Sequence, residues 1–244
     1  MRRAVKLVQR LRFRLWAVRL RLAVRRKGGR LALDAPSGAH LKGAPQLHIT
    51  PAGDSRGTFH LKIGRGVAIG SGVSIRLDAG GDNTLVLGDG AVLQDGVRLW
   101  LFAGRIAIGP RTILRDQAVL KTSGELSLGE LVRIGYSTVL HCHERVELAE
   151  RVVLADHITL VDSDHVHDGS DTWFMKQPVR AAPIHIARNT LVGANSVITR
   201  GARLGRNAVV AAGAVVREGD YPDGWLVGGV PAKPIRELEQ EPPD

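Results

Sequence analysis

The segment Leu160–Arg180 contains the side chains of this chain that are best suited to proton transfer. It holds two histidines, His165 and His167, and four aspartates, together with Trp173 and Phe174. Histidine gains and loses a proton near neutral pH, and a carboxylate can orient such a ring by accepting its second N–H. These residue types indicate acid–base chemistry, and the segment is unlike the sequence on either side of it.

The flanking sequence repeats every six residues, and each unit starts with an aliphatic residue that is often followed by glycine. Successive turns begin at Ile63, Leu87, Ile108, Leu128, Leu148, Ile186 and Leu204. From Leu87 to Leu148 these starts are spaced 21, 20 and 20 residues apart, and Ile186 and Leu204 are 18 residues apart. One turn is therefore three units of six, with a small bulge at one corner in the earlier turns.

A period of six fits a short strand followed by a tight corner, repeated along the chain. Three corners per turn close a triangular prism, with parallel strands about 4.8 Å apart and each aliphatic start pointing inward. Hexapeptide repeats of this kind are typical of parallel β-helices. We therefore predict an all-β fold in which residues 161–183 leave the prism as a loop, because six residues would suffice between Leu160 and Ile186.

The chain resembles the hexapeptide-repeat acyltransferases over about residues 60–236. The motif GGVPAKPIRE at Gly228–Glu237, and the order Asp164-His165-Val166, loop, Gln177-Pro178, carry this resemblance. Within the family, the chain is similar to galactoside, maltose, xenobiotic and polysaccharide O-acetyltransferases. The resemblance implies a left-handed β-helix, a homotrimer with each active site between two subunits, and acetyl transfer from acetyl-CoA to a sugar or glycan hydroxyl.

The resemblance also implies roles for residues around the loop. His165 is expected to be the general base, His167 is the rival, and Asp162 or Asp164 would accept the second ring N–H. Transfer would be direct, because a thioester is already activated and a positioned base contributes roughly 10²–10⁴-fold. The residues expected to contact the acceptor are His143, Asp156, His157, Trp173 and Gln177, and for the first three the alternative is a plain surface position.

The C-terminal part is expected to bind acetyl-CoA. Small residues between the coils would accept the pantetheine arm, and basic side chains would meet the phosphates. The candidates are Ala194, Asn195, Ala212, Gly213, Arg217, Pro231, Lys233 and Arg236. The alternatives are corner packing for the small residues and solvated charge for the basic residues.

A second histidine group, His141, His143 and His157, allows a different reading. Three histidines can hold zinc, as they do in the γ-class carbonic anhydrases, which share this prism. The ligand spacing of those enzymes is absent from this sequence, so no metal is expected. A zinc enzyme of that type and a non-catalytic scaffold are the two alternatives to an acetyltransferase.

The N-terminal arm carries the positive charge of the chain. Residues 1–30 contain 12 Lys and Arg and no acid, so the remaining 22 bases and 24 acids sum to −2. An apolar face recurs at Leu7, Leu11, Leu15, Val18 and Leu22. This spacing predicts an amphipathic helix that lies on an anionic membrane surface, with Phe13 and Trp16 among the headgroups, or packs on protein.

The sequence divides into residues 1–30 as the helix, residues 31–226 as the β-helix and residues 227–244 as the C-terminal segment. The expected partners are identical subunits, a sugar or glycan acceptor and a membrane surface, but no nucleic acid, because the main domain is not basic. The single cysteine, Cys142, suits a reducing compartment. We therefore expect a cytoplasmic protein, peripheral to the inner face of the cell membrane.

Overall fold

The computed structural model describes residues 2–239, with side chains described for residues 8, 9 and 11–239. One helix, α1 (Arg2–Arg26), precedes a series of short strands. The strands of the first three coils are β1 (Arg30–Asp34), β2 (His40–Leu41), β3 (Gln46–Thr50), β4 (Thr58–Ile63), β5 (Ala68–Ile69), β6 (Ser74–Asp78), β7 (Asn83–Leu87), β8 (Val92–Leu93) and β9 (Arg98–Leu101).

The next three coils are the most regular. Their strands are β10 (Arg105–Ile108), β11 (Ile113–Leu114), β12 (Val119–Thr122), β13 (Glu125–Leu128), β14 (Arg133–Ile134), β15 (Val139–Cys142), β16 (Arg145–Leu148), β17 (Val153–Leu154) and β18 (Thr159–Val161).

After β18 the chain leaves the coil and then returns to complete it. This part contains β19 (Ser163–His165), a 3₁₀ turn (Phe174–Lys176), β20 (Val179–Ala181), β21 (Ile184–Ile186), β22 (Leu191–Val192), β23 (Val197–Thr199), β24 (Ala202–Leu204), β25 (Val209–Val210), β26 (Val215–Val216), β27 (Gly219–Tyr221), β28 (Trp225–Gly229) and β29 (Ala232–Glu237).

Three sheets form the walls of a left-handed parallel β-helix, which confirms the predicted fold class. Sheet A has the order β1-β4-β7-β10-β13-β16-β21-β24-β27, sheet B has the order β2-β5-β8-β11-β14-β17-β22-β25-β28-β29, and sheet C runs from β3 to β26 in the order β3-β6-β9-β12-β15-β18-β23-β26. Each of the first eight coils contributes one strand to each sheet, and the last coil adds β27 to sheet A and β28 to sheet B, where β29 pairs with β28 in the antiparallel direction. The C–A corner therefore joins sheet C to sheet A, and the B–C corner joins sheet B to sheet C.

The core consists of aliphatic ladders that run along the prism. In sheet A the residues in register are Ile63, Leu87, Ile108, Leu128, Leu148, Ile186, Leu204 and Tyr221. All are buried, from 0% to 9% exposed. Because every coil has the same cross-section, branched aliphatic side chains stack at the strand spacing of about 4.8 Å with little need for aromatic rings. This result confirms the inward-pointing starts that the six-residue period predicts.

Helix α1 covers the N-terminal end of the prism, where it contacts β1, β2 and β3. Phe13, Trp16, Leu20 and Val24 are buried there, and the Trp16 indole donates to the Pro45 carbonyl at 3.3 Å. The expectation that Phe13 and Trp16 lie among lipid headgroups is therefore wrong, because both rings pack on the open end of the core. No helix in the described part of the chain is long and apolar enough to cross a membrane.

The face predicted as the apolar side of α1 points away from the prism. Leu11, Leu15, Val18 and Leu22 are 47–57% exposed, and Leu7 lies outside the residues whose side chains are described. The helix therefore has two apolar faces, one buried against the protein and one exposed.

Candidate active site

The break in the repeat is an antiparallel hairpin that leaves the prism at the C–A corner. In it β19 pairs with β20, with His165 opposite Val179. The backbone N–H of Val166 donates to the Pro178 carbonyl at 2.8 Å and continues the pairing. A two-stranded ribbon, rather than an irregular loop, therefore carries His165 away from the wall.

Asp162 anchors the base of this hairpin. Its side chain is fully buried, and its carboxylate accepts the backbone N–H groups of His143 at 2.6 Å, Glu144 at 2.9 Å and Arg145 at 2.9 Å. These donors lie at the C–A corner between β15 and β16, one coil before Asp162. The hairpin interrupts the coil that follows, so no strand of that coil pairs with these three N–H groups. The carboxylate is thus engaged with the backbone, and it forms no contact with the His165 ring within hydrogen-bond distance.

Asp164 pairs with arginines. Its Oδ1 accepts from Nε of Arg200 at 3.0 Å and lies 3.9 Å from Nε of Arg180. Arg200 also donates to Glu218 at 3.0 Å, and its side chain is 23% exposed. The arginine therefore ties the hairpin to the two following C–A corners. Sequence reasoning missed Arg200 and Glu218, although their place at the start of successive C–A corners can be read from the repeat.

The ring of His165 is half-buried beside the backbone of Gln177. Its Nδ1 lies 3.4 Å from the Gln177 carbonyl oxygen. A carbonyl can only accept, so this contact selects the tautomer with hydrogen on Nδ1. The Nε2 lone pair is then available to take a proton, as a general base requires. His167 is exposed further out on the hairpin.

The far part of the hairpin combines one buried amide with three exposed apolar side chains. Gln177 is 7% exposed and donates through Nε2 to the Thr172 carbonyl at 2.9 Å, while its Oε1 has no hydrogen-bond partner among the described residues. Trp173, Phe174 and Met175 are 59–66% exposed. Of the predicted acceptor residues, Gln177 and Trp173 therefore lie on the same hairpin as His165.

His143 lies near the hairpin base. It is exposed at the C–A corner, where its backbone meets Asp162 and its ring Nδ1 is 3.4 Å from the Ser123 hydroxyl. His141 is on the outer face of sheet C, and burial, followed by the charge of Lys121, lowers its pKa. No three His, Cys, Asp or Glu side chains form a metal-binding group within residues 2–239.

The small residues predicted to bind the cofactor stack at the B–C corner. Asn195 and Gly213 adopt left-handed backbone angles, φ 59° and 72°, as His157 does one coil earlier at 57°. The N–H of Asn195 donates to the Asp156 carbonyl at 3.1 Å, and the N–H of Gly213 donates to the Ala194 carbonyl at 2.9 Å. The corner therefore holds six of the predicted residues together: Asp156, His157, Ala194, Asn195, Ala212 and Gly213.

The remaining cofactor candidates divide between two places. Pro231 lies in the turn between β28 and β29. In every earlier coil, the residues that follow the sheet B strand form the B–C corner, so this turn is on the B–C side of the prism. Lys233 and Arg236 are exposed on β29. Arg217 instead lies at the last C–A corner, where the Tyr221 hydroxyl contacts its backbone at 3.2 Å.

Two groups of candidate residues therefore lie on opposite edges of sheet C. The His165 hairpin is at the C–A corner and the small-residue stack is at the B–C corner. His157 and Ser163 are six residues apart, so at most about 20 Å separates the two edges. A groove of about 670 Å³, lined by Arg12, Lys42, Asp95 and other residues, is at the opposite end of the prism, between α1 and sheet B.

The stacked coils of six-residue units define the class of this protein as a hexapeptide-repeat β-helix. Residues 183–218 match the model of the hexapeptide repeat of succinyl-transferase. This match confirms, at the level of the repeat, the resemblance to hexapeptide-repeat acyltransferases.

Curated relatives match one part of the chain. A 2,3,4,5-tetrahydropyridine-2,6-dicarboxylate N-acetyltransferase from Staphylococcus aureus is 40% identical over 76 residues, 31% of each chain. The enzyme of the same name from Enterococcus faecalis is 46% identical over 65 residues, 27% of this chain and 28% of its own. The matches thus span about a third of the length of these relatives.

A solved structure shows the same fold. A mutant of AntD, an N-acyltransferase from Bacillus cereus in complex with dTDP and coenzyme A, superposes with a TM-score of 0.53 at 16% identity. The alignment covers 62% of this chain and 83% of that chain.

Proposed function

We propose that the protein transfers an acetyl group from acetyl-CoA to a hydroxyl group of a sugar or glycan. The observation that carries this proposal is the His165 ring, which a ribbon presents with Nδ1 beside a carbonyl and Nε2 free to accept a proton. The repeat match and the coenzyme A bound by AntD support a CoA thioester as the donor.

In the proposed reaction, Nε2 of His165 takes the proton of the acceptor hydroxyl as its oxygen attacks the thioester carbonyl carbon. The tetrahedral intermediate collapses when the C–S bond breaks, and the imidazolium returns its proton to the departing thiolate. The products are an acetyl ester and the free thiol of coenzyme A. A base in this role contributes roughly 10²–10⁴-fold.

We further propose that the active unit is a homotrimer in which a neighbouring subunit completes each site. The hairpin and the small-residue corner lie on opposite edges of sheet C in one chain, whereas a threefold arrangement can bring the corner of one subunit to the hairpin of the next. The exposed Trp173, Phe174 and Met175 are suited to covering the neighbouring wall.

Mixed trimers test this arrangement directly. One variant, His165→Ala, lacks the base, and a second, Ala212→Trp, fills the small-residue corner. A site between subunits is intact only where a subunit with wild-type His165 meets a subunit with wild-type Ala212. In an equal mixture of the two variants, half of the subunits carry each intact residue. Random, unbiased assembly therefore restores about a quarter of wild-type turnover. A site within one chain stays inactive in every mixture, and that result would refute the shared site.

A second candidate is acetylation of an amine. The two curated relatives named above are N-acetyltransferases, and AntD is an N-acyltransferase. A neutral amine is already nucleophilic, so His165 would act later, by taking the proton of the tetrahedral adduct. Removing the base should therefore slow transfer to an amine less than transfer to a hydroxyl.

The decisive assay measures thiol release from acetyl-CoA with paired acceptors. Each pair is a sugar and the amino sugar that differs from it at one carbon. The proposal predicts turnover with a hydroxyl acceptor. His165→Gln should lower this turnover, and His185→Gln, which changes a half-buried histidine on the outer side of sheet A, should leave it unchanged. Turnover only with the amino sugars would establish the second candidate. If neither the sugars nor the amino sugars give thiol release, the acetyltransferase proposal is refuted.

A further inference from the structure

The outer face of α1 is unusual for the cap of a solenoid. Terminal caps normally present a polar outer face, which keeps the end of the stack soluble. Here the outer face carries a continuous apolar row, which we call the cap stripe: Val8, Leu11, Leu15, Val18 and Leu22. Each of these side chains is 47–57% exposed, while the buried face of the same helix already closes the core. The cap stripe therefore contributes little to folding.

Arginines border the cap stripe on both sides. With about 100° of rotation per residue, Arg12, Arg19 and Arg26 lie on one side and Arg14, Arg21 and Arg25 on the other. All six are exposed, and none forms an ion pair within the described residues. The first acidic residue of the chain is Asp34, beyond the helix.

This arrangement favours an anionic, apolar partner. A second copy is disfavoured, because two cap stripes face to face would bring two sets of six arginines together. A lipid surface matches both parts: acyl chains accept the leucines and valines, and phosphates and anionic headgroups accept the guanidinium groups. We propose that α1 docks the protein on an anionic membrane surface through the cap stripe.

Docking in this way fixes the height of the candidate active site. The cap stripe is opposite the face that covers the end of the prism, so the membrane plane would run parallel to that end. The hairpin leaves five coils beyond the first, and coils are about 4.8 Å apart, which places it about 24 Å from the first coil, with the thickness of α1, about 10 Å, in addition. If the proposed function holds, acceptors at this height are soluble sugars or the outer residues of a long glycan.

Vesicle co-sedimentation of the full-length chain tests the docking. The probes are phosphatidylcholine vesicles and mixed phosphatidylcholine–phosphatidylserine vesicles. We expect binding to the mixed vesicles only, and weaker binding as salt rises, because salt screens charges at the surface. Equal binding to both vesicle types, or no binding to the mixed vesicles, would overturn the proposal.

Point substitutions are the appropriate perturbation, because deletion of residues 1–28 would also uncover the core. The stripe variant is Leu11→Gln, Leu15→Gln and Leu22→Gln, and each change should cost about tenfold in affinity for partial burial of a leucine. Its matched control removes three exposed apolar side chains near the C-terminal end of the prism, in Leu191→Gln, Val230→Gln and Ile235→Gln. The stripe variant should lose about 1,000-fold in affinity if the three losses are additive, and the control should retain wild-type binding. The reverse result would place the contact away from α1 and refute the proposal.

Charge is tested separately. The variant is Arg12→Gln, Arg19→Gln and Arg26→Gln, and its control makes the same change in net charge at Arg65, Arg111 and Arg206 on the prism. A basic residue at an anionic surface contributes about fivefold, so the helix variant should lose about 100-fold and the control much less. Equal losses in the two variants would show attraction by net charge alone and contradict a specific role for the helix arginines.

The oligomeric state tests the remaining occupant. If the stripe variant changes the oligomeric state in sedimentation velocity, the cap stripe is a protein interface and the proposal is wrong.

Discussion

Removal of the Asp162 carboxylate should loosen the hairpin that carries His165. In Asp162→Ala three backbone donors, of His143, Glu144 and Arg145, lose the oxygens that they meet at 2.6–2.9 Å. A buried donor left unpaired costs about 1–3 kcal/mol. Because these three residues have exposed side chains, water can reach the corner, so the low end applies and the total is about 3 kcal/mol.

Hydrogen exchange read by mass spectrometry locates this loss. About 3 kcal/mol corresponds to an exchange rate roughly 100-fold faster for the three amides, if local opening limits exchange. Asp162→Asn keeps one acceptor oxygen and should show an intermediate effect. Turnover should fall in the same order, since the hairpin base positions His165.

Asp168→Ala is the matched control. Asp168 is an exposed aspartate of the same hairpin that accepts one backbone N–H, from Ser170 at 3.0 Å. It should change stability by no more than about 0.5 kcal/mol. If the Asp162→Ala amides exchange at the wild-type rate, or no faster than those of the control, the anchoring role is refuted.

Three further predictions concern the core, the hairpin and the cap. Burial raises the pKa of the Cys142 thiol from 9.0 to about 12. The stability that this group contributes is therefore complete below pH 9.0 and is lost as the pH rises toward 12. Urea unfolding midpoints should show this alkaline loss of stability in the wild-type protein and not in Cys142→Ala. Arg200→Met should speed amide exchange in the hairpin severalfold, since Asp164 loses its 3.0 Å partner, and unchanged exchange would contradict that role. Leu20→Ala should lower the free energy of unfolding by about 2–5 kcal/mol, measured by heat or urea, because the Leu20 side chain is fully buried. Leu15→Ala should lower it by less than about 0.5 kcal/mol, because the Leu15 side chain is exposed. Equal losses would contradict the role of α1 as a cap on the core.

Most of the fold follows from the sequence because one physical rule is repeated in every coil. The aliphatic starts from Ile63 onward form the observed ladders, since a buried position on a corner-and-strand unit must recur every six residues. The first coil, β1–β3, is less evident. Leu41 and its partner Ile69 are 28 residues apart, and the longer connection between these coils hides the period.

Helix α1 shows where periodicity fails to assign a side. Phe13, Trp16, Leu20 and Val24 recur at three and four, as do Leu11, Leu15, Val18 and Leu22. Either row can face the core. The structure buries the row with the aromatic rings, because large rings fill the open end of a prism built from aliphatic residues.

The candidate site could be predicted only in part. The break in the repeat identifies the hairpin, because a chain that leaves a regular coil must do so at a corner. Partners within the site depend on the register between coils. Asp162 faces a corner 17–19 residues earlier and Asp164 faces Arg200, 36 residues later. Spacing along the chain does not show which of these carboxylates is enclosed.

The most direct measurement is the rate of thiol release from acetyl-CoA by wild-type protein, His165→Gln and His167→Gln with one sugar acceptor. If Nε2 of His165 takes the hydroxyl proton, His165→Gln loses roughly 10²–10⁴-fold in kcat with little change in the KM for acetyl-CoA, and His167→Gln stays near the wild-type rate. A wild-type rate for His165→Gln would contradict the account.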